Sequence, residues 1–204
     1  MPSAEPQTKG ELTRQAILER AFELSSRVGL DGLSIGQLAA ALGMSKSGLF
    51  AHFQSKEQLE LSVVDFAADR FLEHVIRPAL KAARGEPRLR RLCELWLGWQ
   101  QNELKDGGCF LSAAAFELDD QPGPVRTRLA AVWRDFIELL ENVIRTGVTE
   151  GQFRSDLDVR QVAHALHGVL LATHHYQRLL GDPDANALAE RSIAQLIASC
   201  RCEP

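Results

Sequence analysis

From Thr13 onward the apolar residues of this chain recur every three or four positions, and no stretch sustains the apolar–polar alternation of a half-buried strand. A chain patterned this way buries its apolar stripes helix against helix, so the expected fold class is all-α. With 204 residues and 45% apolar composition it is long enough to enclose a sizeable core. Runs such as Val169-Leu170-Leu171-Ala172 are far shorter than the roughly 18 apolar residues a membrane helix needs, so no membrane span is expected. Residues 1–10 lack the basic start and apolar stretch of a secretory signal, which makes a cytoplasmic location the expectation.

The first helix carries Ile17, Ala21, Leu24 and Val28 on one stripe and stops at Gly29 and Asp31-Gly32. A short second helix follows. Ser34 and Gln37 have the spacing of a capping box, Ile35, Leu38, Ala39 and Leu42 form its inward face, and Gly43 ends it. After the turn Gly43-Met44, Ser45 caps a third helix in which Leu49 and Phe53 point inward one turn apart. Ser55 and Gln58 open a fourth, along which Leu59, Val63, Phe66 and Ala67 run toward Pro78, where a break or kink is expected.

Two short helices joined by a tight Gly-containing turn and braced by a preceding helix make a helix-turn-helix, whose second helix fits the major groove. The third helix opens with Ser45-Lys46-Ser47-Gly48, small and polar with one cation, so the backbone can approach a duplex while Lys46 reaches a base edge or phosphate. No acidic residue lies between Ser34 and Lys56. Helix starts near Ser34, Ser45 and Ser55 offer free N–H groups to phosphates, and His52 and Lys56 bracket the third helix's end as backbone contacts. The net charge of −4 means that any such surface is local.

Leu33-Ser34-Ile35-Gly36-Gln37-Leu38-Ala39 together with Gly43 through Glu57 resembles the signature of the TetR family, the resemblance covering roughly residues 13–61. It implies an N-terminal three-helix DNA-binding domain, a C-terminal helical domain that binds a small-molecule effector, and a homodimer built mainly from the last two helices. It also implies groove-facing positions at Lys46, Ser47 and Gly48 and backbone-contacting ones at His52 and Lys56. Phe50 departs from the tyrosine common there; the hydroxyl contact is lost, while apolar contact with a thymine methyl remains.

The remaining helices carry Leu89, Leu92, Trp96 and Trp99; a short segment from Phe110 to Leu118; Val125, Leu129, Val132, Phe136, Leu140 and Val143; Val162, Leu166, Val169 and Thr173; and Leu188, Leu196, Ile197 and Cys200. Breaks are expected at Gly107-Gly108, over residues 121–124 and at Asp182-Pro183. Trp96, Trp99, Phe110, Phe116, Trp133, Phe136 and His167 are candidates to line an effector cavity, with core packing as the alternative. The apolar stripes put Leu166, Val169, Thr173, Leu196 and Ile197 at the dimer interface.

No cofactor or metal is expected. His164 with His167, and His174-His175, lack an evident carboxylate or cysteine partner, and Cys93, Cys109, Cys200 and Cys202 read as ordinary thiols, the last two on a frayed terminus. A helical enzyme around His164 and His167 would need a nucleophile with a positioned base or a phosphate loop, and neither is present in the sequence. The expected organisation is a flexible tail over residues 1–12, the DNA-binding domain over 13–57, the effector and dimerisation domain over 58–200, and a tail over 201–204. The expected function is a ligand-responsive repressor of a palindromic double-stranded DNA operator.

Overall fold

The computed structural model describes residues 8–102 and 108–202; Gly107, residues 1–7 and residues 203–204 of the expected break and tails lie outside them. Ten α-helices and two π-helical turns account for most of the described residues, whose one β-type pairing is an isolated bridge between Phe153 and Arg201.

Helix α1 (Lys9–Val28) begins eight residues before the first residue of its expected apolar stripe, Ile17, inside the expected tail. The reason is a cap: the Thr8 hydroxyl accepts from Glu11 N–H and the Glu11 carboxylate accepts from Thr8 N–H, satisfying two otherwise orphaned donors. Its buried face is Ile17, Leu18, Ala21, Phe22 and Ser25, so the stripe lies one residue round from the expected one and Val28 is exposed. Helices α2 (Ile35–Ala41), α3 (Lys46–Phe53) and α4 (Lys56–Phe71) follow, each capped by the serine before it, with Leu38, Leu49, Phe53 and Leu59 closing a small core against α1.

Toward Pro78 the regular α-helix is interrupted, as expected, while the helical course continues. α4 passes into a π-helical turn (Leu72–Ile76) and then α5 (Arg77–Leu80), with Pro78 in the first turn of α5. Arg77 N–H reaches back five residues to the Leu72 carbonyl, and the proline falls where the register has just been widened and no donor is required.

The second unit comprises α6 (Glu86–Asn102), α7 (Phe110–Leu118), α8 (Pro124–Thr149), α9 (Val159–His175) and α10 (Ala185–Ser199), with a second π-turn (Tyr176–Leu180) closing α9 at Gly181. α8 packs against α4, α6 and α9, and α9 against α10. The expected frayed end is instead tied down: Arg154 N–H donates to the Cys200 carbonyl, Arg201 pairs with Glu86, and Phe153 is buried against Gly147, where any β-carbon would clash with its ring. α1 and α4 both touch α7, so the N-terminal unit leans directly on the second one.

Candidate nucleic-acid interface

α2 and α3 are held at their angle by Leu38, Ala39, Leu49 and Phe53, all buried, while the other face of α3 is open. Ser45 caps α3: its hydroxyl accepts from Gly48 N–H at 3.0 Å and lies 3.1 Å from the Ser47 hydroxyl. Gly48 leaves room for that cap, since a β-carbon there would lie 3.2 Å from Ser45 Oγ. Ser34 caps α2 more loosely, with Gln37 N–H at 3.5 Å.

Ser34, Gln37, Ser45, Lys46 and Ser47 are exposed, and Phe50 presents 41% of its surface. Gly48 and His52 are half-buried. The Lys46 stem lies across Gly36 of α2, where a β-carbon would sit 3.1 Å from its Cε, so Gly36 sets the path of that side chain. α3 ends in a tight turn, with Gln54 at φ 62° and Ser55 N–H donating to the Phe53 carbonyl at 2.6 Å. Behind α3, the Arg14 guanidinium stands 5.0 Å over the Phe53 ring and donates to the Ser62 hydroxyl, a contact with no sequence signal.

Lys56, expected at the DNA backbone, already has partners within the protein. Its ammonium donates to the Asp31 carbonyl at 2.6 Å and stands 3.4 Å from both Asp31 Oδ1 and Glu60 Oε1. A lysine so placed braces the α1–α2 loop. The same loop is held from the other side: Glu117 of α7 accepts from Leu30 N–H at 2.8 Å and from Asp31 N–H at 2.7 Å. Gly29, at φ 82°, makes that approach possible, because a β-carbon would meet the Glu117 carboxylate at 2.8 Å. Glu117 lies 87 residues from Leu30, beyond the reach of any local pattern.

In the second unit the expected aromatic residues divide. Trp96, Trp133 and His167 form a triangle of rings 5.2–6.0 Å apart, with Phe136 edge-on to Trp96 at 4.7 Å. Phe71 of α4 joins Trp96, Trp99 and Phe136 edge-on. Phe110 lies apart from this group, against Phe22 of α1, and Phe116 is 57% exposed, so neither shares the cluster expected of them. Burial, and a second effect from His164, push the His167 pKa down. Among the described residues no group of three His, Cys, Asp or Glu side chains is placed to hold a metal ion.

Of the expected interface residues, Leu166 and Ile197 are wholly buried inside the protomer, since their stripes face α8 and α6 rather than solvent. Val169 and Leu196 are half-buried, and Thr173 edges an open groove between α9 and α10. Tyr176 and Leu188, both exposed, line that groove, and the exposed Leu179 and Leu180 follow Tyr176 on the π-turn. No described helix is long and apolar enough to cross a membrane.

The chain matches the family model described as "Bacterial regulatory proteins, tetR family" over residues 17–63, and "Tetracyclin repressor-like, C-terminal domain" over residues 85–193. It is 27% identical over 145 residues to the HTH-type transcriptional repressor DhaR of Mycobacterium sp. (strain GP1), covering 71% of each. The fold superposes on a TetR family regulator from Cytophaga hutchinsonii with a TM-score of 0.84 at 20% identity, covering 98% of this chain and all of that one. It superposes on AibR, solved in complex with isovaleryl coenzyme A and operator DNA, with a TM-score of 0.74 at 24% identity, over 90% and 97% of the two chains. A helix-turn-helix with a cation-bearing, acid-free recognition helix, followed by a helical domain that matches the family along its length, identifies this chain as a DNA-binding transcriptional regulator of the TetR family.

Proposed function

We propose that the protein is a repressor that binds a palindromic operator as a homodimer and is released by a small, partly apolar effector. The observation that carries this reading is the Glu117 clasp, through which the effector domain holds the α1–α2 loop of the DNA-binding head by two backbone N–H groups. A change in the angle of α7 moves that loop, and with it α2 and α3, so a ligand favouring another position of α7 changes operator affinity and DNA reciprocally changes ligand affinity. DhaR is a repressor by name, and AibR was captured with both an acyl-coenzyme A and operator DNA, which supports the same division of labour here.

The dimer reading is supported by the apolar surface around the α9–α10 groove, where Tyr176 and Leu188 stand exposed beside Val169 and Thr173, and the exposed Leu179 and Leu180 follow on the π-turn. With the two-fold axis running from the effector domain toward the DNA-binding head, a pairing of that surface would present two copies of α3 on one side of the dimer, and a two-fold reader requires a two-fold site.

Selection of bound fragments from random DNA, followed by salt titration of the best sequence, tests the proposal. An enriched palindrome with half-sites one or more helical turns apart is the expected result, with affinity falling steeply as salt rises. Salt-sensitive binding without enrichment would show instead an architectural binder. Lys46→Ala or a change at Ser47 is expected to alter base preference within the half-site, because both side chains stand on the exposed first turn of α3.

A further inference from the structure

Five ring nitrogens in the effector domain, Trp96 Nε1, Trp99 Nε1, Trp133 Nε1, His167 Nε2 and His174 Nδ1, are shielded from solvent and have no hydrogen-bond partner within the protein, and three of them, on Trp96, Trp133 and His167, belong to rings in mutual contact. These three rings are the triangle described above, and Trp96 has no exposed surface at all. Buried polar atoms of native folds are otherwise nearly always paired, so a group of three in mutual contact points to something that pairs them. Two of the three can only donate, whereas an imidazole nitrogen donates or accepts according to tautomer.

The cluster has an approach. A cavity of about 190 Å³ opens between α7 and α8, lined by Ala115, Leu118, Leu129, Ala130 and Trp133, with Asp119 and Arg126 at its rim. Trp133 is thus shared between that cavity and the ring triangle. The cavity stands partly open to solvent, and its volume is of the order of a single aromatic ring's, since a dry apolar cavity of roughly 150 Å³ accepts benzene. The rings around the triangle, Phe71, Trp99 and Phe136, carry no charge, and Arg126 gives its Nε–H to the Asp119 carbonyl at 2.8 Å. An anion carried inward to the triangle would find no permanent cation in the ring cluster, only the His167 imidazole with His164 near it.

We infer that this site binds a small neutral hydroxyl compound of the phenol type, its oxygen accepting from the Trp96 and Trp133 indole N–H groups and its hydroxyl proton donated to His167 Nε2. A single hydroxyl is the smallest group that answers two fixed donors and one acceptor at once. Burial, which disfavours the charged form of the His167 imidazole, agrees with its role as that acceptor. The inference deepens the effector reading and rests on it for biological meaning, although binding itself can be measured without DNA.

The chain has three tryptophans, so a ¹⁵N-labelled sample gives three indole N–H signals, assignable by Trp→Phe substitution one at a time. Phenol, anisole, toluene and benzoate are titrated against the full chain. Phenol is expected to shift the Trp96 and Trp133 signals saturably and leave Trp99 nearly in place. Toluene, of the same shape without the oxygen, is expected to bind at least about tenfold more weakly, and anisole, which accepts but cannot donate, to fall between.

His167→Phe keeps a ring and removes the nitrogen; it is expected to weaken phenol severalfold and leave toluene unchanged, which a merely destabilised fold would not do. Equal binding of phenol and toluene, saturable benzoate binding tighter than phenol, a shift confined to Trp133, or no saturation by phenol would each overturn the assignment. Phenol binding that leaves operator affinity untouched would sink the release proposal and leave the site standing. Release of operator by other compounds, with no indole shift from phenol, would do the reverse.

Discussion

Replacing Ser45 by alanine removes the oxygen that holds Gly48 N–H at the start of the recognition helix, and loss of such a cap costs about 1 kcal/mol. The expected result is a lower melting temperature together with weaker operator binding, read by thermal unfolding and by titration of the same sample. Lys56→Ala separates two roles. The sequence puts this lysine beside DNA, but its ammonium is spent on the Asp31 carbonyl and on Glu60, so the variant is expected to lose up to about 1 kcal/mol of stability with the salt slope of DNA binding unchanged. A slope reduced by one phosphate contact would restore the sequence-based role. His167 and His174 are both buried with pKa values pushed below the usual 6.5, first by desolvation and then by neighbouring positive charge. The unfolded chain therefore binds protons before the folded one does. Stability is expected to be level above the unfolded value and to fall as pH drops below about 6.5, and His167→Phe should flatten that slope in denaturant titrations. Glu86, held below the usual carboxylate range by Arg201, adds its own loss only at lower pH.

The helices were legible to the extent that they are local. The serine caps of α2, α3 and α4 and the termini of α7 follow from spacing and from residues that prefer those positions, and the structure places them there. The start of α1 was not legible, because the Thr8–Glu11 box precedes the first apolar residue of the stripe. Pro78 announced an interruption but not its form: a proline excludes an ordinary helix interior, a π-turn immediately before it changes which carbonyl lies opposite, and nothing in the sequence Leu72–Ile76 announces that turn. The contacts that couple elements were invisible altogether. Glu117 to Leu30 and Asp31, Arg201 to Glu86, and Phe153 to Gly147 join residues that only the folded chain brings together. Glu117→Ala leaves two loop N–H groups without their acceptor and is expected to cost about 2 kcal/mol. Because the same change frees the head, operator affinity should fall further than that of a surface variant of equal stability. Gly29→Ala, which pushes a methyl into that carboxylate and holds an unfavourable φ, should reproduce the effect.

At the scale of the molecule, the negative net charge and the acid-free stretch from Ser34 to Lys56 divide the surface into a repelling body and one face fit for a polyanion. The exposed apolar side chains of the second π-turn and the start of α10 are the proposed counterpart for self-association. Introducing glutamate at Leu179 and Leu188 is expected to convert dimer to monomer in sedimentation velocity while the melting transition remains cooperative, since both side chains are exposed in the protomer. Monomer with undiminished operator affinity would speak against a two-fold reader. The clasp between the two units also makes a clock. Leu30 and Asp31 amides exchange with deuterium only when Glu117 lets go of them, so their exchange rates report the opening of the interdomain joint, residue by residue. An effector that releases DNA by moving α7 must speed exchange at those two amides before it changes anything in α3, and operator DNA must slow them.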